Sequence, residues 1–300
     1  MTMARPSVAA VVVTFNRKDV LRGTLAAVAA QTVPPDRVFV VDNGGQDGTK
    51  AMVDAEFPSV LYVRMRENLG FAAGLAEGMR RSVVEGFDFA WLLDDDSSPA
   101  PSALEGCLSV ATMTPNLGAV GLSGGMLPRG VPDRRPHRRR PYGGEGATNL
   151  YRCDFVLLDG AIVPRDAILD VGYPRGDFFM MYEDVEYTGR LGRAGRALVL
   201  LDEDLIDRGH LGSGGDSADP SAPPWRGYYQ SRNHLLTARS VGTFEALLGW
   251  GLRQLKLMTG ALLFGDHKLT RLRLRALGAW HGARGVTGRT IDPPARTAPG

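Results

Sequence analysis

Apolar residues run without a break through Ala9–Val13, Val38–Val41, Val60–Val63 and Phe89–Leu93, and each run stops at a polar or charged position. Continuous runs of strand length, instead of alternating ones, fit parallel strands covered on both faces. Between them apolar positions return at helical spacing over Val20–Ala30, and from the small-residue turn Glu67–Gly74 through about Val84. A helix near 102–111 and strands at Gly118–Leu122, Phe155–Gly160, Ala161–Pro164 and Ala197–Leu201 complete the pattern. Strand, helix, strand at this spacing gives right-handed βαβ units, hence an α/β fold with a doubly wound, mostly parallel sheet.

Two regions depart from that rhythm. Residues 124–148 are rich in Gly, Pro and Arg, lack any period, and predict a long mobile loop. Residues 225–283 predict a helical C-terminal extension. From Phe244, one stripe holds Leu247, Leu248, Leu252, Leu255, Met258 and Leu262, while Trp250, Leu257 and Phe264 form another. Two apolar faces on one helix need two different burials. The next helix sets Leu269, Leu272, Leu277 and Trp280 opposite Lys268, Arg271 and Arg275. That is the pattern of a helix lying on an anionic membrane surface, or of one packed on the protein with a solvated basic face. The Pro-containing tail from Ile291 predicts disorder.

Apolar content of 44% and charged content of 23% are those of a soluble globular chain. Cys107 and Cys153 form no metal or redox spacing, which points to a reducing compartment. The net charge of +2 conceals an asymmetry: residues 126–141 carry +5 and residues 253–289 carry +7, leaving −10 for the remainder. This favours two local anionic contacts over a nucleic-acid coat. No signal peptide or membrane span is expected, because the run at 244–264 is interrupted by Arg253, Gln254 and Lys256.

The chemistry concentrates where runs end. Phe89–Leu93 runs straight into Asp94, Asp95 and Asp96, and ligands of parallel sheets bind just beyond the carboxyl ends of strands. Three adjacent carboxylates repel one another unless a cation sits among them. A hard divalent ion that itself holds a phosphate answers that need, a solvated acidic run being the structural alternative. The first turn, Thr14 to Lys18, has no glycine, which argues against a dinucleotide-binding Rossmann domain, and no Walker motif is present. Asp42 can accept hydrogen bonds from a base or ribose, or close a turn in Asp42–Gly45. Gly70 and Gly74 admit either a ligand near a helix N-terminus or close helix–sheet packing. Glu183 and Asp184 begin a helix after an aromatic and methionine run. The helix dipole favours acids there, and half-burial would raise a carboxylate pKa to suit a general base. His210 is a lone histidine in a Gly-rich segment, either packed or metal-binding.

Taken in order, the segments around Thr14–Arg17, Asp42–Gly45, Asn68–Gly74, Asp94–Asp96 and Tyr182–Glu186 resemble inverting glycosyltransferases of family 2, over roughly residues 8–215. That resemblance implies a GT-A, nucleotide-diphospho-sugar transferase fold over 1–224. Residues 1–122 would be the nucleotide-sugar half and 149–224 the acceptor and catalytic-base half, followed by helices over 225–285 and a disordered tail at 286–300. It also implies that Thr14, Asn16, Arg17, Asp42 and Asn68 frame the nucleotide, with Asp94 and Asp95 beside it. Asp94, Asp96 and His210 would hold Mn²⁺ or Mg²⁺, and Asp184, neighboured by Glu183, would be the base. Tyr228, Tyr229, Arg232 and Asn233 are similar to a stretch of galactofuranosyltransferases that begin cell-wall galactan, which suggests an acceptor role for Arg232 and Asn233. Rhamnosyltransferases share most of these pieces. The implied partners are a nucleotide-sugar donor such as UDP-galactofuranose or dTDP-rhamnose, a glycan or polyprenyl-diphosphate-linked acceptor, and the inner face of the cell membrane, the enzyme being cytoplasmic and peripheral. Three rivals differ in kind. A sugar-phosphate nucleotidyltransferase would need a Gly- and Lys-rich first loop, a nucleotide-sugar-binding protein without turnover would not need the full acidic set, and a third reading is transfer to a small natural product.

Overall fold

The computed structural model describes residues 5–135, 140–142, 149–208 and 223–292. They fall into two compact units. The first holds most of residues 5–208. The second comprises 223–292 together with the short stretches 129–131 and 177–182, so the two are interleaved along the chain instead of meeting at one boundary near 224.

The first unit begins β1 (Val8–Thr14), α1 (Lys18–Ala29), β2 (Arg37–Asp42), α2 (Thr49–Glu56), β3 (Leu61–Arg64), α3 (Phe71–Val84) and β4 (Phe89–Asp94). It continues β5 (Ser98–Pro99), α4 (Ala103–Met113), β6 (Leu117–Gly121), β7 (Gly124–Gly125), β8 (Arg140–Pro141), β9 (Leu150–Arg152) and β10 (Phe155–Val156). Then come β11 (Ile162–Pro164), α5 (Arg165–Val171), α6 (Glu183–Arg193), β12 (Ala197–Leu201) and β13 (Ile206–Asp207). Among the described residues the main sheet has nine strands in the order β3-β2-β1-β4-β11-β6-β12-β9-β8. The β3-β2-β1-β4 half is parallel, while β11 runs antiparallel between β4 and β6.

The continuous apolar runs have a direct physical cause. Along β1, Val8, Ala10 and Val12 face a core shared with α1, α2 and α4, while Ala9, Val11 and Val13 face another shared with α3, α5 and α6. Every position of the strand is therefore buried, as a sheet covered on both faces requires. Helix α3 lies unusually close. A Cβ on Gly78 would sit 2.1 Å from a Val11 methyl and one on Gly74 2.5 Å from a Val13 methyl, so these glycines serve packing. Of the two readings of Gly74, the close helix–sheet contact is the one realised.

Two expectations about loops change. The stretch 124–135 is held in place: β7 pairs with β10, Met126 bridges to Asp133, and Gly124 and Gly125 are buried where backbones touch. Residues 136–139 and 143–148 lie outside the described residues. Within 155–160 only Phe155 and Val156 are strand, and the chain then turns through Gly160, whose φ of +82° suits glycine.

The second unit holds α7 (Pro224–Val241), α8 (Phe244–Phe264) and α9 (Lys268–Arg284). Helix α9 only partly follows its hydrophobic pattern: Leu277 packs against the Phe179, Tyr228 and Tyr229 cluster, but the ends of the apolar stripe do not. Arg271, Arg275, Gly278 and Gly282 are its buried positions, and Leu269 and Trp280 face outward. Arg275 Nη1 donates to Gln230 at 2.8 Å and Arg271 Nε to Asp266 at 2.9 Å, so both cations find oxygen. The small residues allow α7 to come close, a Cβ on Gly278 meeting the Tyr228 carbonyl at 2.3 Å. A solvated basic face containing Arg271 and Arg275 is thereby corrected. The segment expected to be disordered from 286 is ordered as far as Asp292: Arg232 donates to Gly288 O at 2.7 Å and Tyr229 to Ile291 O at 2.8 Å.

Candidate active site

The acidic triplet stands at the carboxyl end of β4, after fully buried Trp91, Leu92 and Leu93. Its three carboxylates have different surroundings. Asp95 turns inward, accepting from the Thr14 hydroxyl at 2.8 Å and from Arg17 at 2.5 Å. Asp96 accepts from the other Arg17 nitrogen at 2.9 Å. The cation that the triplet demands is thus supplied in part by Arg17, one turn after β1. Asp94 is the exception: its Oδ1 is enclosed without a hydrogen-bond partner. Burial, followed by the charges of Asp159, Asp96, Asp95 and Asp184, pushes its carboxyl well above the usual range.

Asp159 joins this cluster from the turn after β10. Its Oδ1 accepts the Asp94 N–H at 3.1 Å and the Ser97 hydroxyl, and its Oδ2 accepts Arg208 Nε at 2.7 Å. Neither Asp159 nor Arg208 was singled out by sequence reasoning. The signal was available for Asp159, since Phe155–Leu158 is an apolar run ending in Asp-Gly, the pattern that drew attention to Asp42 and Asp94. Arg208 carried none.

Asp184 occupies the first turn of α6, where unpaired backbone N–H groups favour acids. Its Oδ1 accepts the Leu158 N–H at 2.7 Å, one residue before Asp159. Burial lifts its carboxyl to about 6, with the Leu158 bond pulling down and Asp159 pushing up. A carboxylate poised there is deprotonated at neutral pH yet basic enough to take a proton. Glu183 beside it is buried.

At the ends of β2 and β3 an open cleft of about 410 Å³ is lined by Asp42, Gly45, Lys50, Tyr62 and Arg64, among others. Asp42 is buried, with one oxygen accepting Gly45 N–H at 2.6 Å and the other the Tyr62 hydroxyl. The turn reading of Asp42 is therefore realised. Tyr62 is a further residue that sequence reasoning passed over. Asn16, at φ +52°, receives Gln46 N–H at 2.6 Å, and Asn68 receives Gly70 N–H at 2.9 Å. Thr14, Asn16, Arg17 and Asp42 are therefore brought together at adjoining strand ends, each with protein partners of its own.

Arg232 and Asn233 belong to the second unit and are fully buried on α7. Asn233 Nδ2 donates to the carbonyls of Phe178, Met180 and Met181 at 2.8–3.0 Å, and Arg232 Nη2 to that of Phe178 at 3.0 Å. Asn233 spends its amide N–H groups on the turn that precedes Glu183, and Arg232 divides its donors among Phe178 O, Asn233 Oδ1, Gly288 O and the Thr290 hydroxyl, so both brace this unit from within. Within the turn Phe179, Met181 and Tyr182 all have φ between +66° and +74°, a costly conformation for side chains of that size. His210 lies outside the described residues.

Among the described residues no three His, Cys, Asp or Glu side chains are preassembled as metal ligands. The donor set nevertheless fits a hard cation. An enclosed, partnerless carboxylate oxygen among four further carboxylates is the environment that a divalent ion with oxygen ligands relieves.

A sheet of this order with acids at the strand ends defines a nucleotide-sugar-transferase type of fold. Residues 9–166 match glycosyl transferase family 2, and the chain belongs to that family. It is 34% identical over 199 residues to galactofuranosyltransferase GlfT1 of Mycolicibacterium smegmatis, a match covering 63% of this chain and 66% of that one. The chain thus spans just under two thirds of that relative. It is also 28% identical over 308 residues to the N-acetylglucosaminyl-diphospho-decaprenol L-rhamnosyltransferase of Mycobacterium tuberculosis, covering 92% of this chain and 95% of that one. In fold it is similar to the mannosyltransferase PcManGT from Pyrobaculum calidifontis, solved with GDP-Man and Mn²⁺, with a TM-score of 0.58, 17% identity, and 95% of this chain and 87% of that one covered.

Proposed function

We propose that the chain is an inverting glycosyltransferase that moves a sugar from a UDP-galactofuranose or dTDP-rhamnose type of donor to a hydroxyl of a lipid-linked glycan. The observation that carries this reading is the separation of two carboxylate roles around Asp159: a strand-end cluster with an orphaned Asp94 oxygen, and Asp184 with a carboxyl near 6. The names of the relatives support the sugar class, and the decaprenol-linked substrate in one of them supports the acceptor class.

Asp184 takes the proton from the acceptor hydroxyl as its oxygen attacks the anomeric carbon. The bond from that carbon to the diphosphate breaks on the opposite side, inverting the centre, and no covalent enzyme intermediate forms. Asp94 and Asp96, with His210, would hold Mn²⁺ or Mg²⁺, which when bound offsets the charge of the departing diphosphate. Arg17 keeps Asp95 and Asp96 in place at this edge, while Asp42, Asn16 and Asn68 shape the nucleotide side. The enzyme would work at the inner face of the cell membrane, where a lipid-diphosphate acceptor resides.

Thermal-shift titration with UDP-, dTDP- and GDP-sugars, with and without Mn²⁺, tests the reading. One nucleotide should stabilise the protein by several degrees, and only with metal. The absence of any donor-dependent shift, together with no donor hydrolysis, would overturn it.

A further inference from the structure

Helix α8 has two long apolar faces, and the protein covers one of them. Ala246, Gly249 and Leu257 face inward. A Cβ on Gly249 would sit 2.0 Å from the Arg129 carbonyl, and Trp250 Nε1 donates to Ser231 O at 3.1 Å. The opposite stripe, Leu248, Leu252, Leu255 and Leu262, is exposed; so are Phe264, the last residue of α8 on the Leu257 side, and Leu269 in the first turn of α9. Leu255 is 65%, Phe264 77% and Leu269 84% exposed. From Leu248 to Leu262 the row runs about 21 Å along the helix, and a contiguous apolar row of this kind marks an interaction surface.

Charge decides which partner. Lys256, Lys268, Arg273 and Arg284 are exposed along α8 and α9, against Glu245 and an Asp266 already paired with Arg271. A second copy meeting this face would bring like charge against like. An anionic bilayer surface instead takes the apolar side chains below its headgroups and the cations among them. No helix among the described residues is long and apolar enough to cross a membrane.

We infer that α8 lies in the plane of an anionic lipid surface, its Leu248–Leu262 stripe seated in the bilayer interface. The surface differs from the one expected on α9, since Arg271 and Arg275 are inside the unit and unavailable to lipid. The proposal deepens the reading of a lipid-linked acceptor and rests on that reading only for its purpose.

Sedimentation of the full chain with vesicles of phosphatidylglycerol and phosphatidylcholine tests it, with no donor present. The wild type should bind at low salt and partly release at high salt. Leu252→Glu with Leu255→Glu should lower binding at least tenfold while melting temperature and donor-dependent thermal shift stay unchanged. Lys256→Glu with Arg273→Glu should remove the preference for phosphatidylglycerol over pure phosphatidylcholine vesicles. Wild type remaining in the supernatant, or both proteins sedimenting equally, overturns the inference. A dimer in analytical ultracentrifugation that the Leu252/Leu255 variant dissolves, without vesicle binding, also overturns it and makes a second copy the occupant. Vesicle binding as expected from a protein with no donor response upholds the inference and leaves the transfer reading to fall alone.

Discussion

Arg208 grips Asp159 at two points, its Nε meeting Oδ2 at 2.7 Å and its Nη2 the Asp159 carbonyl at 2.9 Å. Through the other Asp159 oxygen the grip reaches the backbone of Asp94. Removing the carboxylate strands a half-buried guanidinium and an N–H group together. Asp159→Ala should lose about 2–3 kcal/mol in urea unfolding. Asp159→Asn, which still accepts from Asp94, should lose less and retain more transfer activity. Equal loss in both variants would assign the effect to charge alone.

Asp184 governs pH dependence. Its folded pKa lies above the ordinary value for Asp, so the folded state holds its proton more tightly than the unfolded chain. Its contribution to stability is therefore favourable at low pH and falls as pH rises through the window from about 4 to about 6. Asp184→Asn, which keeps the Leu158 contact, should melt higher than wild type at pH 7.5. Its kcat should drop by roughly 10²-fold or more, and wild-type kcat should decline as pH falls below about 6. A Glu183→Gln variant with the larger loss would move the base to the neighbouring residue.

Asp94 carries the metal prediction. Asp94→Asn replaces a repelled, enclosed carboxylate by a neutral group, so folding should be undisturbed or improved. Mn²⁺-dependent stabilisation by nucleoside diphosphate should vanish. Full turnover of the wild type in EDTA would remove the metal from the account.

Asn233 braces the Phe178–Tyr182 turn through three carbonyls, and that turn runs covalently into Glu183 and Asp184. Asn233→Ala should cost about 2 kcal/mol, and lower kcat more than it raises the donor KM. A change confined to acceptor KM would instead assign Asn233 to the acceptor.

The sheet was legible because its residues obey one rule. Strands buried on both sides must be apolar through their interior, as Val8–Val13, Val38–Val41 and Phe89–Leu93 are. The acids at their ends stood out for the same reason. Other features left no periodic trace. Arg271 and Arg275 are buried because Gln230, Gln254 and Asp266 offer them oxygen, which no hydropathy pattern encodes. Asp42 and Asn16 proved to be held by Gly45, Tyr62 and Gln46, pairings that depend on where separate strands end. Gly78 could be read as a flexible point or a contact, and only its 2.1 Å approach to Val11 tells them apart.

That contact gives a last measurement. Gly78→Ala raises helix propensity but forces α3 off the sheet, so it should destabilise by about 1–3 kcal/mol in chemical denaturation. A stabilised variant would mean that α3 can shift freely.

Strand β11 has a consequence for how the chain is made. It pairs with β4 on one side and β6 on the other, yet it is synthesised after both, at Ile162–Pro164. Until it arrives, the nascent chain has β4 with one open hydrogen-bonding edge and β6 without its neighbour, and open edges recruit other chains. A fragment ending near 122 would keep that edge for good and should aggregate, whereas one reaching past β12 closes the sheet. Strands β4, β11 and β6 therefore complete one another, and a segment exchanged between relatives keeps its sheet edge paired only if β11 travels with β4.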